Sequence, residues 1–115
     1  EHVSDKTSWQ QMLKNNVQPL DLPALRDELL AKCADSLSAI SERFGGEALQ
    51  FLRDAKPSEI RYPVQQYPAK VKSFNFDKDP LISGVLQGIK GQYLIFDTGV
   101  INIRKFAGYE VEVSV

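Results

Sequence analysis

The sequence contains few of the residues on which most catalytic sites depend. Of its 115 residues, one is a cysteine, Cys33, and one is a histidine, His2. A single cysteine cannot form an internal disulfide, and no cluster of Cys and His has the spacing of metal ligands. Cys33 lies on the apolar stripe of a predicted helix, which is typical of a small buried hydrophobe rather than of a nucleophile. We therefore predict no catalytic residues, no metal site and no cofactor, and we expect that the chain is not an enzyme.

An excess of charge of one sign and long apolar runs are also missing. Fourteen basic and fifteen acidic residues give a net charge of −1, so a nucleic-acid-binding site would have to depend on a local patch. No apolar run approaches the roughly twenty residues that cross a bilayer, and a lone cysteine fits a reducing compartment. These features predict a cytoplasmic protein that does not associate with membranes.

The N-terminal half has the apolar periodicity of helices. Between Asp21 and Gly45 the apolar residues are three or four positions apart, which predicts one amphipathic helix. Asp21 is a favourable N-cap, and Gly45 is a natural residue just beyond the C-terminus. The stripe consists of Leu22, Leu25, Leu29, Cys33, Leu37, Ile40 and Phe44. Shorter helices are predicted over residues 6–14, capped by Asp5, and over residues 47–54, so residues 1–56 are interpreted as a helical segment.

After Pro57 the apolar period changes to two. Strands are predicted over residues 59–62, 70–76, 81–89, 92–97, 100–106 and 109–115. Short strands joined by tight turns, with no helix between the last four, indicate a small antiparallel β-barrel of OB-like or SH3-like type. The predicted fold class is therefore α+β, with the helical segment 1–56 packed on a small C-terminal barrel formed by residues 57–115.

Three glycines interrupt the predicted strands: Gly84, Gly88 and Gly91. Glycine is unusual inside a strand, so these positions need a reason. One interpretation is structural: Gly84 and Gly88 allow the strand to bend, and Gly91 adopts a positive φ in a hairpin turn. The other is that glycine allows the backbone of a ligand to approach closely. The segment is not a phosphate-binding loop, because no Lys-Ser/Thr pair follows and no helix begins there.

Basic and aromatic residues accompany one another in the C-terminal half. Small barrels bind single strands by pairing phosphates with basic side chains and by stacking bases on aromatic rings. The alternative is that the aromatic residues belong to the core and the lysines protect strand edges. Lys70 and Lys72 share their strand parity with Phe74 and Phe76, so alternation does not separate the two interpretations. The candidate nucleic-acid-binding residues are Lys70, Lys72, Lys90, Arg104, Lys105, Tyr62, Tyr67 and Phe74.

Three long phrases carry a resemblance to a known family: "DKTSWQQMLK", "YPVQQYPAKVKSFNFDKDP" and "GIKGQYLIFDTGVINIRKFAGYEV". In these phrases the sequence resembles the DUF2797 family of uncharacterised bacterial proteins, and the resemblance covers nearly all of the chain. In longer members this region follows a cysteine-rich segment and a module similar to GIY-YIG nucleases. The motifs of both are absent from this sequence. The resemblance thus implies a fragment of a longer DNA-processing protein, with residues 1–16 as the trailing end of the upstream module.

Together these observations predict an accessory domain that binds single-stranded nucleic acid and delivers it to the upstream nuclease-like module. The alternative is a structural or protein–protein interaction module with no role in nucleic-acid binding. The distribution of charge separates them. Basic residues clustered on one face favour nucleic acid, whereas scattered ones beside an exposed apolar patch favour a protein partner. The natural substrate and the oligomeric state do not follow from the sequence.

Overall fold

The computed structural model describes Ser4 and residues 6–52 and 54–115. In chain order the elements are the helices α1 (Trp9–Leu13), α2 (Leu22–Lys32) and α3 (Ala34–Phe44) and the strands β1 (Leu86–Lys90), β2 (Tyr93–Phe96) and β3 (Val100–Asn102). Short 3₁₀ turns occur at Gly46–Ala48 and Ile103–Phe106. The predicted α+β class is therefore confirmed.

The described residues divide into two compact units. The helical unit contains Gln18–Glu59 and includes α2 and α3. The sheet unit contains Lys6–Val17 and Ile60–Val115, so α1 belongs with the strands. The assignment of residues 1–16 to an upstream module stays a prediction. Within the described residues, no helix is both long enough and apolar enough to cross a membrane.

The long predicted helix of the helical unit is divided into two. As predicted, Asp21 caps its start, because its Oδ1 atom accepts a hydrogen bond of 3.0 Å from the Ala24 amide. The break lies at Cys33, whose φ of −97° and ψ of 5° leave the helical range. Gly45, with a φ of 89°, follows α3. The predicted cap Asp5 lies outside the described residues. In the described part of the helix predicted over 47–54, only a 3₁₀ turn forms, at its start.

The strands form an antiparallel sheet in the order β1-β2-β3. An extended segment lies along each outer strand. Residues 63–65 pair with β1, through hydrogen bonds from the Gln65 amide to the Gln87 carbonyl (2.7 Å) and from the Ile89 amide to the Pro63 carbonyl (3.0 Å). Residues 72–74 run parallel to β3, and the Phe74 amide donates to the Val100 carbonyl (2.8 Å). Segments 63–65 and 72–74 therefore lie at opposite edges of the sheet.

The predicted barrel is wrong, because the described strands form an open sheet. Of the predicted strands, those around 86–90, 93–96 and 100–102 form the three-stranded ladder, and the one predicted over 70–76 adds only the bridge between Ser73 and Val100. The strand predicted over residues 109–115 does not form: these residues pair with no other described strand and all are exposed, Val113 to 81%. In the segment before residues 70–76, Pro63 and Pro68 have no amide N–H with which to donate a ladder hydrogen bond. Alternation describes which way side chains point, but a barrel also needs every edge to find a partner.

The core of the sheet unit lies between α1 and one face of the sheet. Its buried residues are Leu13, Tyr93, Ile95 and Val100, with Trp9, Met12, Val64 and Val71 packed against them. The rings of Trp9 and Tyr93 are stacked, with centroids 5.7 Å apart and planes at 4°. In contrast, α2 and α3 contain no fully buried residue.

Two of the glycines serve the geometry of the chain, as the structural interpretation predicts. Gly88 is opposite Ile95 beside a bulge in β1, and a Cβ atom there would lie 2.7 Å from the Cα atom of Val64. The close approach is therefore made by the protein's own segment 63–65. Gly91 has a φ of 58° in the two-residue turn between β1 and β2, the conformation predicted for it.

Candidate nucleic-acid interface

The two units differ in net charge. The sheet unit, residues 6–17 and 60–115, contains nine basic and five acidic residues, a net charge of +4. Residues 18–59 contain five basic and eight acidic residues, a net charge of −3. The overall value of −1 therefore conceals a basic unit that includes every candidate binding residue.

The first basic group lies at the β3 edge of the sheet. Lys72 is exposed, and its Nζ atom lies 5.4 Å from the centre of the Phe74 ring. That ring is half-buried and lies against Gly99, at the end of the connection from β2 to β3. An exposed cation above a fixed aromatic ring offers both a partner for a phosphate and a surface on which a base can stack.

The second basic group follows β3 directly. The side chain of Asn102 accepts hydrogen bonds from the amides of Arg104 (3.1 Å) and Lys105 (3.3 Å), which shapes the 3₁₀ turn that carries both exposed cations. The Nζ atom of Lys105 lies 5.2 Å from the centre of the buried Phe106 ring. Phe106 is in turn packed edge-on against Phe76, at 4.9 Å.

Tyr109 extends this aromatic cluster and joins it to the turn after Phe76. Its ring lies 5.4 Å from that of Phe106, and its hydroxyl donates a hydrogen bond of 2.6 Å to Oδ1 of Asp77. This hydrogen bond and the charge of Asp77 raise the pKa of the Tyr109 hydroxyl. The aromatic cluster of Phe76, Phe106 and Tyr109 thus supports the turn that carries Arg104 and Lys105.

Lys90 has a different environment from the other candidates, because it is only 7% exposed. Its Nζ atom donates a hydrogen bond of 3.1 Å to Oδ1 of Asn15. It also lies 4.8 Å from the centre of the Tyr67 ring and 5.6 Å from that of Tyr62. The candidate Lys90 therefore contacts the candidates Tyr62 and Tyr67 within the protein, and its charge does not face solvent as those of Lys72 and Lys105 do.

The candidate residues thus form separate groups. Lys72 and Phe74 lie along β3, and Arg104 and Lys105 follow it, whereas Lys90, Tyr62 and Tyr67 lie at the β1 edge. Lys70 is exposed on residues 66–71, which connect the two edges. Sequence alternation did not reveal this division, because it identifies the face of a residue but not the order of the strands.

Some contributing residues were missed by the sequence reasoning. Phe106 and Tyr109 support the basic turn, and Asn15 is the hydrogen-bond partner of Lys90. Phe106 directly follows Arg104 and Lys105 in the sequence, and this proximity could have indicated that it contacts them. No local pattern connects Asn15 with Lys90, which are 75 positions apart. Over the residues that the structure describes, no three His, Cys, Asp or Glu residues are grouped as metal ligands would be.

The helical unit has a different surface feature. An apolar groove of about 780 Å³ lies between its helices and the segment that follows them. Leu30 and Leu37 line one side, and Phe51 and Leu52 line another. This groove is the exposed apolar surface that the interaction-module alternative requires.

The chain matches a protein-family model over nearly its whole length. A family model described as "Protein of unknown function (DUF2797)" matches residues 1–111. No curated protein and no solved structure matches the chain.

Proposed function

The chain belongs to the DUF2797 family of proteins of unknown function, and from its own residues we propose that its sheet unit binds single-stranded nucleic acid. The observation that carries the proposal is the net charge of +4 on the unit in which Lys72 and Lys105 lie over aromatic rings. A strand needs both kinds of group, since its phosphates pair with cations and its unstacked bases pack on rings.

The magnitudes favour weak, salt-sensitive binding. Each phosphate contact with a single strand contributes about 0.7 to the slope of log affinity against log salt concentration. Stacking of one base on an aromatic side chain contributes about 1–3 kcal/mol. Lys72, Arg104 and Lys105 would supply a slope of about 2, and Phe74 would supply a stacking surface. In this proposal Lys90 acts indirectly, by holding Tyr62 and Tyr67.

The proposal extends to the role of the domain in a longer protein. The resemblance to longer relatives implies an upstream nuclease-like module, to which this domain would deliver a single strand. The 115 residues would then bind the strand without catalysing a reaction.

Fluorescence anisotropy with a labelled single-stranded oligonucleotide over a salt series tests the binding proposal. Replacement of Lys72, Arg104 and Lys105 by alanine should reduce the salt slope by about two units, because three phosphate contacts are lost. A matched control removes the same charge from the helical unit, by replacing Lys32, Arg43 and Lys56 with alanine. Arg43 is a particularly close control, since it lies 5.0 Å from the Phe44 ring centre.

The control triple variant should retain the slope of the unmodified protein. Equal slopes in the two triple variants would contradict a specific role for the sheet unit. Absence of binding at low salt would remove the proposal and favour the second candidate, a protein-interaction module. That candidate is supported by the apolar groove formed by Leu30, Leu37, Phe51 and Leu52.

A further inference from the structure

Residues 66–70 form one wall of a cleft on the sheet unit. They lie on the connection from segment 63–65, beside β1, to segment 72–74, beside β3. The cleft has a volume of about 250 Å³, and β1 and β2 contribute its other walls. Val71, the next residue, packs on the core, so the connection is held against the sheet.

Polar groups with unused hydrogen-bonding capacity meet at this cleft. Gln66, Gln87, Lys70 and Asp97 all line it. In the described part of the chain, the side chains of the two glutamines and of Lys70 have no hydrogen-bond or ion-pair partner. Asp97 uses Oδ1 to accept a hydrogen bond of 2.8 Å from the Val85 amide, and its other carboxylate oxygen has no described partner. Gln87 is half-buried and the other three are exposed, so all four polar groups are available to a ligand that enters the cleft.

An aromatic residue completes the lining. Tyr67 is half-buried, and its ring is held in place by the buried Lys90 ammonium 4.8 Å from its centre. A ring fixed in this way loses little conformational entropy when a ligand packs on it. The cleft lies below the range of about 300–1,000 Å³ that is usual for drug-sized ligands, so it suits one small planar group.

We propose that this cleft receives a single unstacked nucleobase whose amino group stands where guanine and thymine have a keto oxygen, that is adenine or cytosine, from the bound strand. The inference rests on the proposed function. A carboxylate oxygen accepts a hydrogen bond from the amino group of adenine or cytosine, whereas it repels the keto oxygen that thymine presents at the same position. A glutamine amide can both donate to and accept from a base edge. Lys70, at the rim, pairs with the adjacent phosphate.

Base selection can be tested by changing a single group on one base of the strand. The first labelled oligonucleotide is thymine-rich and contains one adenine. The second has hypoxanthine at the position of that adenine, so that a keto oxygen replaces the amino group. We expect about tenfold weaker binding of the hypoxanthine strand, since one good base contact discriminates by roughly 1–3 kcal/mol. Asp97→Asn should reduce this ratio towards one, because an amide can donate to the keto oxygen while still accepting from Val85.

The control variant is Asp79→Asn, which removes an exposed turn carboxylate from the same unit. It should retain the tenfold ratio. Lys70→Ala should weaken both strands equally and lower the salt slope by about 0.7. Circular dichroism establishes that each variant is folded before binding is compared.

The outcomes separate this inference from the proposed function. One result against the base cleft is that strands bind with equal affinity whether they contain adenine or hypoxanthine, and another is an affinity ratio that Asp97→Asn leaves unchanged. Either result would show that the cleft does not select the base, while the dependence of strand binding on Lys72, Arg104 and Lys105 could still hold. If no strand binds, both proposals are wrong. A final arm uses adenosine monophosphate alone: binding as tight as that of the strand, with the same dependence on Asp97, would assign the cleft to a free nucleotide instead of a strand.

Discussion

The ammonium group of Lys90 lies 4.8 Å from the centre of the Tyr67 ring, in a position where the lysine is only 7% exposed. The same group donates a hydrogen bond to Asn15, at the end of α1. Three distant parts of the chain therefore meet at one cation: the residues after α1, the segment around Tyr67, and the end of β1. This arrangement explains why Lys90 contributes to the fold rather than to the exposed basic surface.

Lys90→Met should destabilise the sheet unit by about 1–2 kcal/mol. The variant keeps the length of the side chain but loses a charged hydrogen bond and two cation–π contacts. This loss of stability is partly offset, because a thioether is easier to bury than an ammonium group. Urea unfolding followed by the fluorescence of Trp9, the only tryptophan, measures the change.

The control for this variant is Lys78→Met, at an exposed turn. It should change the free energy of unfolding by less than about 0.5 kcal/mol. Equal effects of the two substitutions would show that the contacts of Lys90 do not stabilise the unit.

Gly88→Ala should destabilise the sheet unit by about 1–3 kcal/mol. The added Cβ atom would lie 2.7 Å from Cα of Val64, so the backbone of segment 63–65 would have to move away from β1. Gly46→Ala is the matched control, because a Cβ atom there meets nothing within 4 Å. Thermal unfolding followed by circular dichroism, which reports on both units, compares them, and a tolerated Gly88→Ala would contradict the close pairing of segment 63–65 with β1.

Leu13→Ala should cost about 2–5 kcal/mol, the usual range for removal of a fully buried leucine. Leu13 is completely buried in the core of the sheet unit, together with Tyr93 and Ile95. The control Leu20→Ala concerns a side chain that is 65% exposed and should have little effect. A small effect of Leu13→Ala in urea unfolding would mean that α1 is not an integral part of this unit.

The contact between Tyr109 and Asp77 should make the cluster sensitive to high pH. Because the folded state raises the pKa of the Tyr109 hydroxyl, the stabilisation is fully present below the usual tyrosine pKa of about 10 and is lost as the pH rises through the raised value. Near-ultraviolet absorbance should show a tyrosine ionisation above the usual tyrosine range, and Tyr109→Phe should remove that late transition. In Asp77→Asn the Tyr109 pKa should return towards its ordinary value. An unchanged titration in this variant would contradict the assigned cause.

Features that depend on a few neighbouring residues were predictable from the sequence. Asp21 caps α2 because its side chain needs only the amide of Ala24, three positions away. Gly91 has a positive φ because a two-residue turn between strands requires it, whatever surrounds it. The strands β1 to β3 lie within or close to the predicted ranges for the same reason, since alternation and turn residues are local signals.

Only the tertiary structure decided which edges pair and which charges are buried. The sequence by itself determined that lysines and aromatic residues share the C-terminal half, but it could not distinguish the buried Lys90 from the exposed Lys72. The difference depends on Asn15, which is 75 positions from Lys90, and on the pairing of segment 63–65 with β1. The barrel prediction failed for the same physical reason: strand patterning acts over a few residues, whereas closure of a sheet depends on contacts between segments that are far apart in the chain.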